Sequence, residues 1–248
     1  MGKRDEQTMI TILLPAYKES ENLKNILPKI NSVLDGMDYE IIIIDTMEPT
    51  DDTEEVCSKN NAKYIRREGG NTYGDAIRSG FAASSGEFTI VMDADGSHDP
   101  GYILQFDDLM KTGEYDLIIG SRYCKGGHTD NGPLLRLMSW MLNTTYRILF
   151  GLKVKDVSDS FRMYKTEQIK ELDLNSLNFD IVEEILIKLN LYNDNFRIRE
   201  VPITFNKRDK GVSKRKTGEY IKTYLQTLFK MLRYKRSYKK QKKMEKDV

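Results

Sequence analysis

The chain has 248 residues, room for one large domain with an appendage, and its 39% apolar and 31% charged composition is ordinary for a globular protein. Its net charge of +1 hides an asymmetry: residues 207–248 hold 16 Lys and Arg against 4 Asp and Glu, so from chain totals of 39 and 38 the first 206 residues carry a balance of −11. Two isolated cysteines, Cys57 and Cys124, exclude a disulfide framework and a CxxC zinc site; no secretory signal is expected after the polar start Met1–Gln7, and no run of about 18 uncharged apolar residues offers a membrane span.

In chain order, Met9–Leu14 and Glu40–Ile44 are short β-branched runs bounded by turn residues, which predicts strands buried on both faces. Between them, Glu19–Leu34 places Leu23, Ile26, Leu27, Ile30, Val33 and Leu34 at helical spacing, with Ser20 positioned to serve the N-terminus. The alternation continues with a strand at Ala62–Ile65, a helix at Tyr73–Ser84, a strand at Phe88–Met92, a helix at Pro100–Met110 and a strand at Leu117–Gly120. Such a sequence predicts an α/β fold with a mostly parallel, Rossmann-like central sheet flanked by helices. Past Ser121 the regularity fades. Lys125–Gly132 reads as a mobile glycine-rich loop, and Leu134–Leu152 as a helix given a polar side by Arg136, Asn143 and Arg147. A loop at Lys155–Ser160, a strand at Phe161–Tyr164, a helix at about Asp180–Leu191 and an extended pair at Ile198–Phe205, broken at Pro202, follow. The last amphipathic helix spans Gly218–Tyr234, and Lys235–Val248 reads as a frayed charged tail.

In open α/β sheets, ligands bind beyond the carboxyl ends of the strands. Four predicted strand ends carry polar chemistry: Pro15-Ala16-Tyr17-Lys18-Glu19, Asp45, Asp93-Ala94-Asp95-Gly96-Ser97, and Gly120-Ser121-Arg122-Tyr123. Strand alternation would turn Asp93 and Asp95 to one side with Ala94 packed inward. Two neighbouring carboxylates repel unless a cation neutralises them, and hard oxygen ligands suit Mg2+ or Mn2+, which would bridge to a nucleotide diphosphate. The competing reading, an Asp capping the next helix, is better filled by Asp99, just before Pro100. His98 and His128 stand alone and read as structural or surface groups.

Six motifs in order, PAYKESEN, GGNTYGDAIRSG, VMDADGSHDP, GSRY, DVSDSFRMYK and VPITFNKRDKGVSK, run across about residues 10–216. On these the chain resembles the family 2 glycosyltransferases of GT-A fold, within them the dolichol-phosphate mannose synthase-like, polyprenyl-phosphate glycosyltransferase group. The resemblance implies a GT-A domain at 8–216, followed by a basic amphipathic helix and tail at 217–248. It implies that Pro15, Ala16, Tyr17, Glu19, Asp45, Asp75 and Ala94 surround the donor nucleotide. Asp93, Asp95 and Ser97 would hold Mg2+ or Mn2+. Arg122, Arg136, Ser139, Arg162 and Arg208 would meet the acceptor phosphate or donor diphosphate. The implied donor is GDP-mannose first, then UDP-glucose or UDP-N-acetylglucosamine. Two departures stand out: Thr46-Met47-Glu48-Pro49 replaces the usual acidic and Gly/Ser turn, and Asp159-Ser160 replaces a Ser-Gly pair.

The acceptor decides the chemistry. A phosphate is already anionic and needs arginines to hold it against the donor diphosphate. A hydroxyl, as on a cell-surface glycan, needs a general base, for which Asp159 is the carboxylate to test. A nucleotide-binding scaffold without catalysis is a third reading, opposed by the intact Asp93–Asp95 pair. The broad apolar surface at Pro133–Gly151 and the basic last helix suit peripheral contact at the cytoplasmic face of a membrane, and no nucleic-acid module is present. Those helices also leave room for a homodimer or a membrane partner subunit.

Overall fold

The computed structural model describes residues 8–207 and 217–246. The elements in order are β1 (Ile10–Pro15), α1 (Ser20–Val33), β2 (Tyr39–Asp45), α2 (Thr53–Lys59), β3 (Lys63–Arg66), α3 (Tyr73–Ala83), β4 (Phe88–Val91), α4 (Tyr102–Lys111) and β5 (Leu117–Ser121). Then come β6 (His128–Thr129), α5 (Pro133–Phe150), β7 (Arg162–Lys165), α6 (Thr166–Lys170), α7 (Ile181–Tyr192), β8 (Ile198–Pro202), β9 (Thr204–Phe205) and α8 (Thr217–Lys246). Seven strands form one sheet in the order β3-β2-β1-β4-β7-β5-β8. All its pairings are parallel except those of β7, which runs antiparallel to β4 and β5.

The β-branched strands are buried on both faces, and their period of two divides the core. Ile10, Ile12, Leu14, Ile41 and Ile43 pack against Leu23 and Leu27 of α1, Cys57 of α2 and Phe106 of α4. Leu13, Ile42 and Ile44 face the other way, toward α3, α7 and the buried Tyr224, Leu228 and Met231 of α8. The α/β sandwich expected from the sequence is therefore present, while its antiparallel β7 and the short α2 and α6 were not legible.

Several local expectations need correction. Ser20 does not cap α1: it is the first helical residue, and its N–H donates to Asp51 Oδ2 at 3.1 Å from across the turn before α2. The segment 125–132 is pinned rather than loose, because β6 pairs with β9 and Asp130 N–H donates to Phe205 O at 3.1 Å. Nor is 235–246 frayed. It continues α8, where Tyr238 packs on the core and Lys242 Nζ meets Asp194 Oδ2 at 2.8 Å. Among the described residues no helix is long and apolar enough to cross a membrane.

Candidate active site

The carboxyl ends of β1 and β2 form one flank. After Ala16, whose N–H donates to Ile44 O at 2.9 Å, the chain turns through Lys18 at φ +58°, a left-handed conformation unusual for a residue with a Cβ. Tyr17 is 42% exposed beside it, following half-buried Pro15, and Glu19 is buried, accepting from Asn22 Nδ2 at 2.6 Å. Asp45 is fully buried; its Oδ1 accepts Thr46 N–H at 2.7 Å and its Oδ2 accepts the Tyr64 hydroxyl at 3.2 Å. Arg67, which the sequence reading passed over, ties this flank together. Its guanidinium donates to Ala16 O at 2.5 Å, Asn71 O at 2.8 Å and Thr72 O at 3.1 Å, and burial lowers its pKa against the pull of Asp45. Asp75 is committed to the fold. Its carboxylate accepts Thr72 N–H at 2.8 Å and Arg78 Nη2 at 2.6 Å in a reciprocal capping box at the start of α3, which holds it in place whatever it meets beyond the fold.

The acidic segment lies one step further along the edge. β4 ends at Val91, so Asp93, buried Ala94 and Asp95 sit in the turn beyond it, and strand alternation does not set the direction of their side chains. Asp93 N–H donates to His98 Nδ1 at 3.0 Å, Ser160 Oγ donates to Asp93 Oδ1 at 3.0 Å, and Asp95 Oδ1 accepts Ser97 N–H at 3.0 Å. Ser97 Oγ is buried with no hydrogen-bond partner among the described residues. A buried hydroxyl oxygen without a partner, in the same turn as Asp93 and Asp95, fits an oxygen-ligated Mg2+ or Mn2+. No cluster of three His, Cys, Asp or Glu stands ready among the described residues. A cation there would therefore take its remaining ligands from a diphosphate and water.

Opposite this turn stands Arg122 at the end of β5. Its Nε and Nη2 donate to Asp156 at 2.8 and 2.7 Å, and Nη2 also donates to Ser158 Oγ at 2.9 Å. Nε lies 3.0 Å from Asp159 Oδ2 as well, but its N–H is aimed at Asp156, so that second contact is electrostatic. Although burial opposes the charge, Asp156 and Asp159 raise the Arg122 pKa well above its ordinary value. Phe205 lies under the guanidinium at 5.4 Å. Asp93, Arg122, Ser158, Asp159, Ser160, Phe179 and Phe205 line one narrow cleft.

Asp159 is enclosed here. Burial alone would push its carboxyl up, but Arg122 and then His98 outweigh it and hold it at about 2. A carboxylate that acidic, with its side chain out of reach of solvent, is poorly suited to act as a base. Arg162 is not in the cleft at all: fully buried, it donates to Val182 O at 2.9 Å and Val157 O at 2.6 Å, bracing the loop beneath it. Arg136 is exposed on α5, Ser139 touches Ser158 Oγ at 3.2 Å on the cleft rim, and Arg208 lies outside the described residues. Asp156, Ser158 and Phe179 were not singled out from sequence, and Ser160 only as part of a departure; the two-carboxylate spacing in DVSDS was the available signal for the 156–160 loop, and Phe179 had none.

The family model described as Glycosyl transferase family 2 matches residues 11–173. A curated relative, the dolichol-phosphate mannosyltransferase of Pyrococcus furiosus, is 35% identical over 232 residues, 91% of this chain and 64% of the relative, so the chain spans under two thirds of that protein. The polyprenol monophosphomannose synthase of Mycolicibacterium smegmatis is 32% identical over 213 residues, 82% of this chain and 79% of its own. Among solved structures, glucosyl-3-phosphoglycerate synthase from Mycobacterium tuberculosis with Mn2+, UDP and glucosyl-3-phosphoglycerate matches with a TM-score of 0.72 at 21% identity, covering 91% of this chain and 80% of that one. At that identity the likeness speaks to the fold, which is of GT-A type.

Proposed function

The chain belongs to glycosyl transferase family 2, and on that premise we propose that it is a metal-dependent, inverting transferase moving a sugar from a nucleotide-sugar to a polyprenyl or dolichyl phosphate. The observation that carries this reading is the cleft itself. Asp93 of the acidic turn lies on one wall and Arg122, its guanidinium anchored by buried Asp156, on the other, with the exposed apolar α5 adjoining through Ser139 and Ser158. That is the arrangement a lipid phosphate needs: a cation for the headgroup and an apolar surface for the chain. The two named mannosyl-transferring relatives point the same way, and GDP-mannose is accordingly the first donor to test, before UDP-glucose and UDP-N-acetylglucosamine.

In this scheme Pro15, Ala16, Tyr17, Glu19 and Asp45 flank the nucleoside. Asp93, Asp95 and Ser97 would hold Mg2+ or Mn2+, which would supply charge neutralisation for a diphosphate leaving group. Arg122, with Arg136, Ser139 and Arg208, orients the acceptor phosphate. One of its oxygens forms the new bond to the anomeric carbon as the bond to the diphosphate breaks on the opposite face, inverting the centre. No proton has to be removed, which is consistent with a cleft carboxylate, Asp159, held at about 2. Exposed Leu134, Leu137, Trp140 and Ile148 on α5 and the basic α8 support docking on the cytoplasmic face of a membrane.

The test is thermal stabilisation by GDP, UDP and their sugars with and without manganese, followed by transfer to polyprenyl phosphate and acid lability of the product. A metal-dependent shift of the size expected near one hundred times the dissociation constant, about 3 kcal/mol, supports the donor site. Transfer only to a hydroxyl would favour the surface-glycan alternative, and no nucleotide response would end the transferase reading.

A further inference from the structure

One buried side chain lies between the two walls of the cleft, and the scheme above leaves it without a task. His98 is 1% exposed, stacked on Phe161 at 4.7 Å and 15° and edge-on to Phe205 at 5.3 Å, so its ring has one orientation. Its Nδ1 lies 3.0 Å from the Asp93 backbone nitrogen, whose N–H points at it. Nε2 in turn lies 3.2 Å from Asp159 Oδ1, within ion-pair reach though not aligned as a hydrogen bond, and the other Asp159 oxygen is 3.0 Å from Arg122 Nε. The two nitrogens of one imidazole thus touch the first residue of the acidic turn and the carboxylate beside the cleft arginine. A second brace runs in parallel, from Ser160 Oγ to Asp93 Oδ1 at 3.0 Å.

We propose that His98 is a positioning residue that sets the spacing between the Asp93–Asp95 turn and the Arg122–Asp159 pair. The inference rests on the functional reading above. Its physical content is that a rigid ring wedged between Phe161 and Phe205 converts the position of Asp93 into the position of Asp159. The donor-holding and acceptor-holding halves of the cleft therefore cannot drift apart independently. A misplacement of about 1 Å between reacting groups is enough to reduce rates by roughly a hundredfold.

The two links can be cut separately. His98→Asn places an amide oxygen where Nδ1 accepts but does not extend to Asp159. His98→Gln reaches toward Asp159 but offers no acceptor to Asp93. We expect His98→Asn to retain the manganese-dependent affinity for GDP or UDP, whichever stabilises the parent protein, within about threefold. It should lose about tenfold or more in turnover or acceptor KM, because the Arg122–Asp159 pair is then free to shift against the reacting groups. His98→Gln is expected to lose about tenfold in manganese–nucleotide affinity, read by calorimetry without any turnover. The unliganded melting temperature of each variant separates folding from positioning. The proposal is overturned if both variants keep parental affinity and kinetics. It is equally overturned if both lose the two readouts together in proportion to a lowered melting temperature, since that is the pattern of a merely structural histidine. A parent protein that binds no metal–nucleotide pair overturns the functional reading itself, and this proposal with it.

Discussion

Asp156 offers the sharpest single perturbation. It is fully buried and accepts three hydrogen bonds from one residue: Arg122 N at 2.9 Å, Nε at 2.8 Å and Nη2 at 2.7 Å. Its own N–H is fixed by Glu200 Oε1 at 3.0 Å, so the carboxylate cannot follow a displaced guanidinium. Asp156→Asn keeps the shape and one acceptor oxygen, but turns an NH2 group toward the cation and removes the larger of the charges that hold it. Removing one partner of a buried ion pair costs about 3–5 kcal/mol, and the retained oxygen puts this case near the lower end, about 3 kcal/mol. For a chain of this size that lowers Tm by roughly 6–12 °C. Of the two carboxylates that hold it, Arg122 then keeps only Asp159, and KM for polyprenyl phosphate should rise at least about tenfold. Urea and thermal unfolding measure the first effect and initial rates the second. A stability loss under about 1 kcal/mol with unchanged KM would refute the reasoning, because it would mean that Asp156 neither carries nor aims the arginine.

Four further outcomes follow from other parts of the molecule. Arg136→Ala, an exposed side chain, should raise acceptor KM about tenfold with no change in Tm; an unchanged KM removes Arg136 from the acceptor site. Leu137→Glu combined with Trp140→Glu, both more than half exposed, should abolish retention on anionic liposomes at low salt while leaving the fold intact, and undiminished retention would move the membrane contact elsewhere. Gly70→Ala should lower stability by about 1–3 kcal/mol, since a Cβ there would lie 2.6 Å from Asp75 Oδ2 and break the capping box; a neutral result in urea melts would contradict this. Burial raises the Glu183 carboxyl from 4.5 to about 8 despite the nearby Arg162. The unfolded chain releases that proton near the lower value and the folded chain only near the upper one, so stability falls as pH rises through this window. The slope is at most about 1.4 kcal/mol per pH unit, and it flattens above the window. Glu183→Gln should remove this slope from urea melts across the same range, and an identical slope in the variant would show that another group causes it.

How far the sequence reached can be judged element by element. Ile10, Ile12, Leu14 and Ile41–Ile44 announce strands buried on both faces because hydrophobic burial is periodic and local, and the helices between them follow from 3.6-residue spacing. The carboxyl-edge residues Asp45, Asp93, Asp95 and Arg122 were legible for the same reason: in a parallel sheet, every strand end points to one edge. The partners of Asp75 and Arg162 were not legible, because a motif gives a residue's place but not what it bonds. A capping box absorbs the first, and the carbonyls of Val157 and Val182 absorb the second.

What only the tertiary structure decided is the direction of β7. A parallel strand enters at the amino edge and leaves at the carboxyl edge, so its preceding loop lies far from the chemistry. An antiparallel strand enters where the others leave. Because β7 runs backward between β4 and β5, its entry loop carries Asp156, Asp159 and Ser160 to the same edge as Asp93 and Arg122. Local sequence encodes that β7 is a strand, since burial and β propensity act residue by residue. Its direction depends on which neighbours it pairs with across about seventy residues of chain, and that is settled only when the whole sheet closes over its two cores.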